Sequence, residues 1–258
     1  MSIVDIELVK KIAIGAAQKI LTVYTSDDFS VKNKKDNSPL TLADQLSHKY
    51  IIEELAKNYP DIPAVSEESK DFCYETRKHY QKFWLIDPLD GTKEFIKKNG
   101  EFTVNIALIE NRQPVLGVVQ IPVSGEIYWA QKGQGAYKHS KENGLQQLQC
   151  QEFRMTDENL GVVCSRSHLN DETKRFISEL NNVQTLAIGS SLKFMRLAEG
   201  KAHIYPRLYP IMEWDIAASD IILREAGGQT IHFSQNKEME YNSEKMKICA
   251  FIAYAKKL

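Results

Sequence analysis

The chain predicts an α+β fold of layered sheets with helices between or outside them. Three patterns lead there: two helical stretches at the start, hairpin-linked strands in the middle, and strands alternating with helices to the end. The first helix is expected over 3–24, where Ile6, Val9, Ala13, Ala16, Ala17 and Ile20 share one face. The polar stretch 32–38 reads as a loop. A second helix over 41–57 carries Leu42, Leu46, Tyr50 and Leu55 as an approximate apolar stripe. Strands are expected at 64–66, 83–87, 103–109, 115–121 and 127–130. Asn111-Arg112-Gln113-Pro114 and Val123-Ser124-Gly125 read as hairpin connections.

The segment 138–151 is polar and has no periodic apolar pattern. It is the expected boundary between two subdomains, 1–150 and 151–258. Beyond it the pattern is α/β: a strand over 160–164, a helix over 171–180, a strand over 185–188, a helix over 190–198, a strand over 203–205, a helix over 214–226 and a last strand over 248–253. Gly227 or Gly228 is expected to end the 214–226 helix in a left-handed cap.

Composition narrows the function. A length of 258 residues suffices for a substantial core, and 43% hydrophobic residues fit a globular protein. The net charge of -1 implies no large basic surface, which argues against a nucleic-acid polymer as partner. Cys73, Cys150, Cys164 and Cys249 are scattered, so neither a zinc site nor a disulfide framework is suggested. The start of the chain lacks the basic and apolar blocks of a secretory signal. Asp5, Glu7, Lys10, Lys11, Gln18 and Lys19 interrupt the first helix, so it cannot be a transmembrane segment. A cytoplasmic protein is the default; peripheral association with the inner membrane and the oligomeric state are left open.

The most informative stretch is Trp84-Leu85-Ile86-Asp87-Pro88-Leu89-Asp90-Gly91-Thr92-Lys93-Glu94-Phe95. Pro88 cannot donate to a sheet ladder, so the strand is expected to end near Asp87. Gly91 permits a tight turn or a close backbone approach. Two carboxylates thus leave a strand end on a stiff loop. Such oxygen ligands suit a hard divalent cation, and magnesium completes its shell with substrate phosphate and water. An acidic turn with solvated aspartates is the plainer alternative. Three further motifs bear on the choice. Val65-Ser66-Glu67-Glu68 ends a short strand, Thr41-Leu42-Ala43-Asp44 opens one helix, and Trp214-Asp215-Ile216-Ala217 opens another. Each has its own plain alternative: a capping box for Asp44, a helix cap for Asp215, and solvated loop positions for Glu67 and Glu68.

Taken in order, Asp44, Glu67-Glu68, Asp87-Pro88-Leu89-Asp90-Gly91-Thr92 and Trp214-Asp215 resemble the inositol monophosphatase superfamily of magnesium-dependent, lithium-sensitive phosphatases. The resemblance covers nearly the whole chain and implies an alternating αβαβα sandwich of two subdomains, as in sugar phosphatases. The continuation Lys93-Glu94-Phe95-Ile96, with Asn99-Gly100-Glu101-Phe102-Thr103-Val104-Asn105-Ile106-Ala107, looks like the 3′(2′),5′-bisphosphate nucleotidase branch. Ser165-Arg166-Ser167-His168, Gly189-Ser190-Ser191-Leu192-Lys193 and Tyr205-Pro206-Arg207 strengthen that narrower match. It implies a phosphatase that releases AMP and phosphate from adenosine 3′,5′-bisphosphate, with the sulfated relative as a further substrate. It also implies a role in sulfate assimilation and inhibition by lithium.

By resemblance, Glu67, Asp87, Asp90, Asp215 and the backbone carbonyl of Leu89 are ligands for two or three magnesium ions. Two such ions can clamp the attacking and leaving oxygens of an in-line displacement. The nucleophile is expected to be a metal-bound water, since the chain has no G-x-S-x-G elbow and no reactive-cysteine signature. Thr92 takes that water's hydrogen bond, and the partner acid is Glu67 or Asp44. Asp44 also helps to hold a weakly bound metal. The N–H groups of Gly91 and Thr92 face the phosphate. A water near Asp215 protonates the leaving alkoxide. Lys193 and Arg207 match donors to the phosphate that is retained, and Ser190 and His168 match nucleotide contacts. The plain alternatives are an exposed helix lysine for Lys193 and a position near a helix cap for His168.

Rival readings are a superfamily enzyme acting on inositol monophosphate or fructose bisphosphate, and a non-catalytic nucleotide- or metal-sensing module. Nucleoside triphosphate hydrolysis lacks support, because no G-x-x-x-x-G-K-[ST] loop is present. The lone Gly133-Gln134-Gly135 reads as a turn. No H-E-x-x-H is present for a zinc hydrolase.

Overall fold

Among the described residues there are seven α-helices: α1 (Ile6–Tyr24), α2 (Leu42–Asn58), α3 (Tyr74–Arg77), α4 (Thr92–Ile96), α5 (Asp171–Ser178), α6 (Leu192–Ala198) and α7 (Ala217–Glu225); the sequence pattern anticipates all but α3 and α4. The structure, a computed structural model, describes residues 4–26, 32–33, 39–69, 73–166 and 169–258. Asp5 caps α1 by accepting the Glu7 N–H, and Val9, Ile12, Ala13, Ala16 and Ile20 bury its apolar face. Gly227, at φ 93°, ends α7 as expected.

Two sheets organise the helices. The first has seven strands in sequence order: Ala64–Ser66, Lys82–Asp90, Thr103–Glu110, Gln113–Gln120, Ile127–Gln131, Ala136–Ser140 and Gly144–Gln147. Only the first pair is parallel. The second has six strands in the order Gln184–Ile188, Gly161–Ser165, Ile204–Arg207, Phe251–Tyr254, Gln229–His232 and Lys237–Glu238. Period-two alternation sends the residues of each strand to opposite faces. Trp84, Ile86, Val104, Ile106 and Val118 join α1 and α2 in one core. Phe83, Leu85, Ala107, Ile109 and Val119 join Phe194, Ala218, Ile221 and Ile222 of α6 and α7, together with Val162, Ile204 and Phe251 of the second sheet. With α5 packed against the Ile204–Arg207 strand, the layers run αβαβα.

Several expectations need correction. The central strand does not end at Asp87; it continues through Pro88 to Asp90. Its parallel neighbour stops at Ser66, opposite Ile86, so no strand on that side asks Pro88 for an N–H. On the other side the register slips between Asp87 and Asp90, and Pro88 falls in that bulge. The 138–151 segment contains strand residues that its polar pattern does not announce, since Ala136–Ser140 and Gly144–Gln147 form the outer hairpin of the first sheet. Gly144–Gln147 is largely exposed, and the buried positions of Ala136–Ser140 include Lys138 and Ser140, so neither strand carries an apolar alternation. The turn after residue 110 narrows to Asn111-Arg112, at φ 49° and 64°, the two positive values a tight hairpin requires. Lys32–Asn33 pairs with Pro39–Leu40 rather than belonging to a loop. The expected helix over 214–226 is split into a 3₁₀ turn, Glu213–Asp215, and α7. The expected helix over 190–198 begins only at Leu192, because Ser190 has φ 45°.

Candidate active site

The bulge determines where the two aspartates of the central motif point. In a regular strand, residues three apart lie on opposite faces. Here Asp87 pairs with Asn105 and Asp90 with Thr103, so three steps on one strand match two on the other. Both aspartates therefore face the middle helical layer, while Leu89 turns into the α1–α2 core. Ser47 on α2 holds the bulge, its hydroxyl donating to the Pro88 carbonyl at 2.7 Å. Asp87 Oδ1 accepts the Leu89 N–H at 3.0 Å, and Asp90 Oδ2 accepts the Ser191 N–H at 2.6 Å. Ser191 is itself held, 2.7 Å from Thr103 Oγ1 and donating to Asn105 Oδ1 at 3.0 Å.

Asp44 closes the capping box with one carboxylate oxygen and meets Thr92 with the other. Its Oδ2 accepts the Thr41 N–H at 2.8 Å, closing a capping box, and the Thr41 hydroxyl donates to the same oxygen at 2.5 Å. Its Oδ1 accepts from Thr92 Oγ1 at 3.4 Å. Thr92 opens α4 directly after Gly91, whose φ of 97° suits a residue without Cβ. The first N–H groups of α4 have no acceptor within the helix.

The second half of the chain supplies the opposite wall. Asp215 ends the 3₁₀ turn, with Oδ2 accepting the Met212 N–H at 3.2 Å. Lys193 is not an exposed helix lysine: it is 6% exposed, donates to the carbonyls of Ser190 and Ile188, and lies over the Tyr205 ring. Arg207 is 9% exposed, with Nε donating to the Tyr209 carbonyl at 3.3 Å. Glu67, Asp90, Gly91, Thr92, Ser190, Lys193, Arg207 and Asp215 line one cleft of about 450 Å³. Asp87 and Asp44 are not among its lining residues, though Asp44 accepts from Thr92, which is. His168 lies outside the described residues.

Burial and mutual repulsion dominate the electrostatics. Burial, then the charges of Glu67, Asp90 and Asp215, push the Asp87 carboxyl well above the usual range. Burial, then Asp90 and Glu67, do the same to Asp215. Burial lifts Asp90 to about 6 against the pull of Lys193 and the Ser191 N–H. Burial lowers Lys193 to about 8, with Asp90 opposing.

A hard divalent cation fits this donor set. The donors are all oxygens, and a cation would relieve the repulsion that holds three of these acids high. Among the described residues, no three His, Cys, Asp or Glu side chains are gathered closely enough to hold a metal ion by themselves.

Ser47, Thr103, Asn105 and Ser191 were not legible as site residues. Their roles rest on partners 41 to 101 residues away, for which no local spacing exists. The Gly133–Gly135 turn is confirmed as a turn: both N–H groups donate to the Glu225 carboxylate at 2.9 Å, so they are not a phosphate cradle.

Fold and carboxylate cleft together define a member of the inositol monophosphatase family; the chain belongs to it, with the family's model matching residues 4–255. More narrowly, it is 46% identical over 238 residues to the 3′(2′),5′-bisphosphate nucleotidase CysQ of Salmonella typhimurium, covering 92% of this chain and 93% of that protein. The crystal structure of CysQ from Bacteroides thetaiotaomicron, a bacterial member of the family, superposes with a TM-score of 0.85 at 39% identity, covering 97% and 96% of the two chains. An IMPase of Thermotoga maritima is 26% identical with a TM-score of 0.78, covering 97% and 91%.

Proposed function

We propose that this protein is a magnesium-dependent 3′(2′),5′-bisphosphate nucleotidase that hydrolyses adenosine 3′,5′-bisphosphate to AMP and phosphate. One observation carries the choice of substrate. Two buried cations, Lys193 and Arg207, line the same cleft as Asp90 and Asp215. A substrate with one phosphate to lose and one to keep needs both groups at once. The similarity to proteins named for this activity supports the reading.

Glu67, Asp87, Asp90, Asp215 and the Leu89 carbonyl would hold two or three magnesium ions. Bound there, magnesium polarises the phosphate and lowers the pKa of an attacking water. Thr92 donates to Asp44, which leaves its oxygen lone pairs to accept a hydrogen bond from that water. This pairing favours Asp44 over Glu67 as the acid that finally takes the proton. The N–H groups of Gly91 and Thr92 receive the phosphate oxygens, and a water ordered near Asp215 protonates the departing alkoxide. Lys193 and Arg207 bind the retained phosphate, and Ser190 and His168 are assigned to nucleotide contacts.

The sulfated relative of the substrate presents the same 3′-phosphate and belongs to the same proposal, as do inhibition by millimolar lithium and a place in sulfate assimilation. The four cysteines are unpaired, which fits a reducing cytoplasm. No described helix is long and apolar enough to cross a membrane. The test is phosphate release from adenosine 3′,5′-bisphosphate with and without magnesium, beside inositol 1-phosphate at equal concentration. Magnesium-dependent preference for the nucleotide is expected. Preference for the inositol ester would overturn the substrate, and release from neither would leave a sensing module.

A further inference from the structure

Glu101 does not line the cleft, yet it ties together both halves of its rim. One carboxylate oxygen accepts the Gly189 N–H at 2.7 Å. The other accepts from Arg166 Nη2 at 2.8 Å, and that nitrogen also donates to the Ala187 carbonyl at 3.0 Å. Arg166 further approaches Glu94 at 3.8 Å. The contact at Gly189 is tight: a Cβ there would lie 2.9 Å from both the Glu101 carbonyl oxygen and Glu94 Cγ.

The turn so held is Gly189-Ser190-Ser191. Ser190 sits at φ 45°, a conformation that persists for a residue with a Cβ only when its surroundings enforce it. Its Oγ is buried and has no hydrogen-bond partner among the described residues. Its carbonyl accepts from Lys193. Two anchors enforce the turn. On the far side, Ser191 is fixed by Asp90, Thr103 and Asn105. On the near side, the anchor is Glu101. The far anchor holds the turn to the hydrolytic carboxylates and does not need Glu101. The near anchor therefore governs the part of the turn that presents Ser190 and orients Lys193.

We infer that Glu101 is a positioning residue for substrate selection: by clamping Gly189 and Arg166 it sets Ser190 and Lys193 for the retained phosphate, leaving the hydrolytic step alone. This rests on the bisphosphate nucleotidase reading. A glutamine at position 101 keeps the size but loses the charge and one acceptor, so it cannot hold both partners.

The test is Glu101→Gln, assayed with magnesium on adenosine 3′,5′-bisphosphate and on adenosine 3′-monophosphate, which lacks the retained phosphate. KM for the bisphosphate should rise about tenfold with kcat kept within about twofold, and kcat/KM for the monophosphate should be unchanged. Calorimetry with adenosine 5′-monophosphate, without magnesium, should show the same weakening of product binding. Gly189→Ala disturbs the same clamp from the turn's side, its Cβ lying 2.9 Å from the Glu101 carbonyl oxygen and 3.1 Å from Oε2, and should give the same split. Equal loss on both substrates, or no change on either in a protein with wild-type circular dichroism, overturns the inference. A wild-type enzyme that ignores the bisphosphate but hydrolyses inositol 1-phosphate overturns the functional reading itself, and the ligand assigned here with it.

Discussion

Thr92 Oγ1 lies 3.4 Å from Asp44 Oδ1, while the other oxygen of the same carboxylate caps α2 through Thr41. One side chain thus serves folding with one oxygen and faces the chemistry with the other. The two duties can be separated. Thr92→Val should lower kcat about 100-fold or more, the scale of a lost proton-transfer partner, with the unfolding midpoint unchanged. Thr41→Ala should cost about 1 kcal/mol of stability by urea titration, the usual worth of a cap. A Thr92→Val enzyme with near-normal kcat would remove Thr92 from the proposed mechanism.

Asp90→Asn should abolish turnover without unfolding the protein, and should make the metal-free protein more stable near neutral pH. The sign follows from the raised carboxyl. Its pKa stands at about 6 in the fold against an ordinary 3.8, so the charged form is disfavoured by folding. The penalty is absent below 3.8, grows as pH rises, and is complete above about 6. Thermal unfolding in EDTA should show wild type losing stability across that window and Asp90→Asn losing less. Magnesium should raise the wild-type midpoint by mass action. A midpoint indifferent to both magnesium and the substitution would argue against a cation at this carboxylate.

Lys193 should impose an alkaline limb on kcat/KM for the bisphosphate. Burial places its pKa at about 8, so the ammonium proposed to meet the retained phosphate is lost as pH rises through that value. Lys193→Met should raise KM and flatten the limb. A wild-type profile with no decline between about pH 7 and pH 9 would show that the lysine charge is not what binds substrate.

Gly91→Ala should be costly. The backbone there has φ 97°, and the new Cβ would lie 3.0 Å from the Glu101 carbonyl oxygen and 3.3 Å from Ser190 Cβ. A loss of about 1–3 kcal/mol in chemical denaturation is expected, with a fall in kcat as Thr92 shifts. Wild-type stability would mean that the turn relaxes freely.

Much of the fold was legible because the longer helices and the central strands announce themselves within a few residues. The periodic apolar face of α1 and the Thr41–Asp44 cap are local patterns. The failures were also local in cause. Pro88 signals a break in hydrogen bonding, and the chain uses that break as a bulge rather than a strand end. In the outer hairpin at 136–147 one strand is exposed and the other buries Lys138 and Ser140, so apolar alternation is missing from both. Ser190 leaves the helical region at a residue whose type does not advertise it.

The residues alone determined which oxygen donors this protein owns and the order in which its elements carry them, because those properties are written in contiguous motifs. Which face of the sheet Asp87 and Asp90 share, that Lys193 is buried against Tyr205, and that Glu101 grips a turn 88 residues away were decided by tertiary structure. The physical reason is that these features depend on the bulge between paired strands and on how α6 and the Gly189–Ser191 turn pack against the first sheet. Contacts between such distant segments leave no period in the chain that makes them.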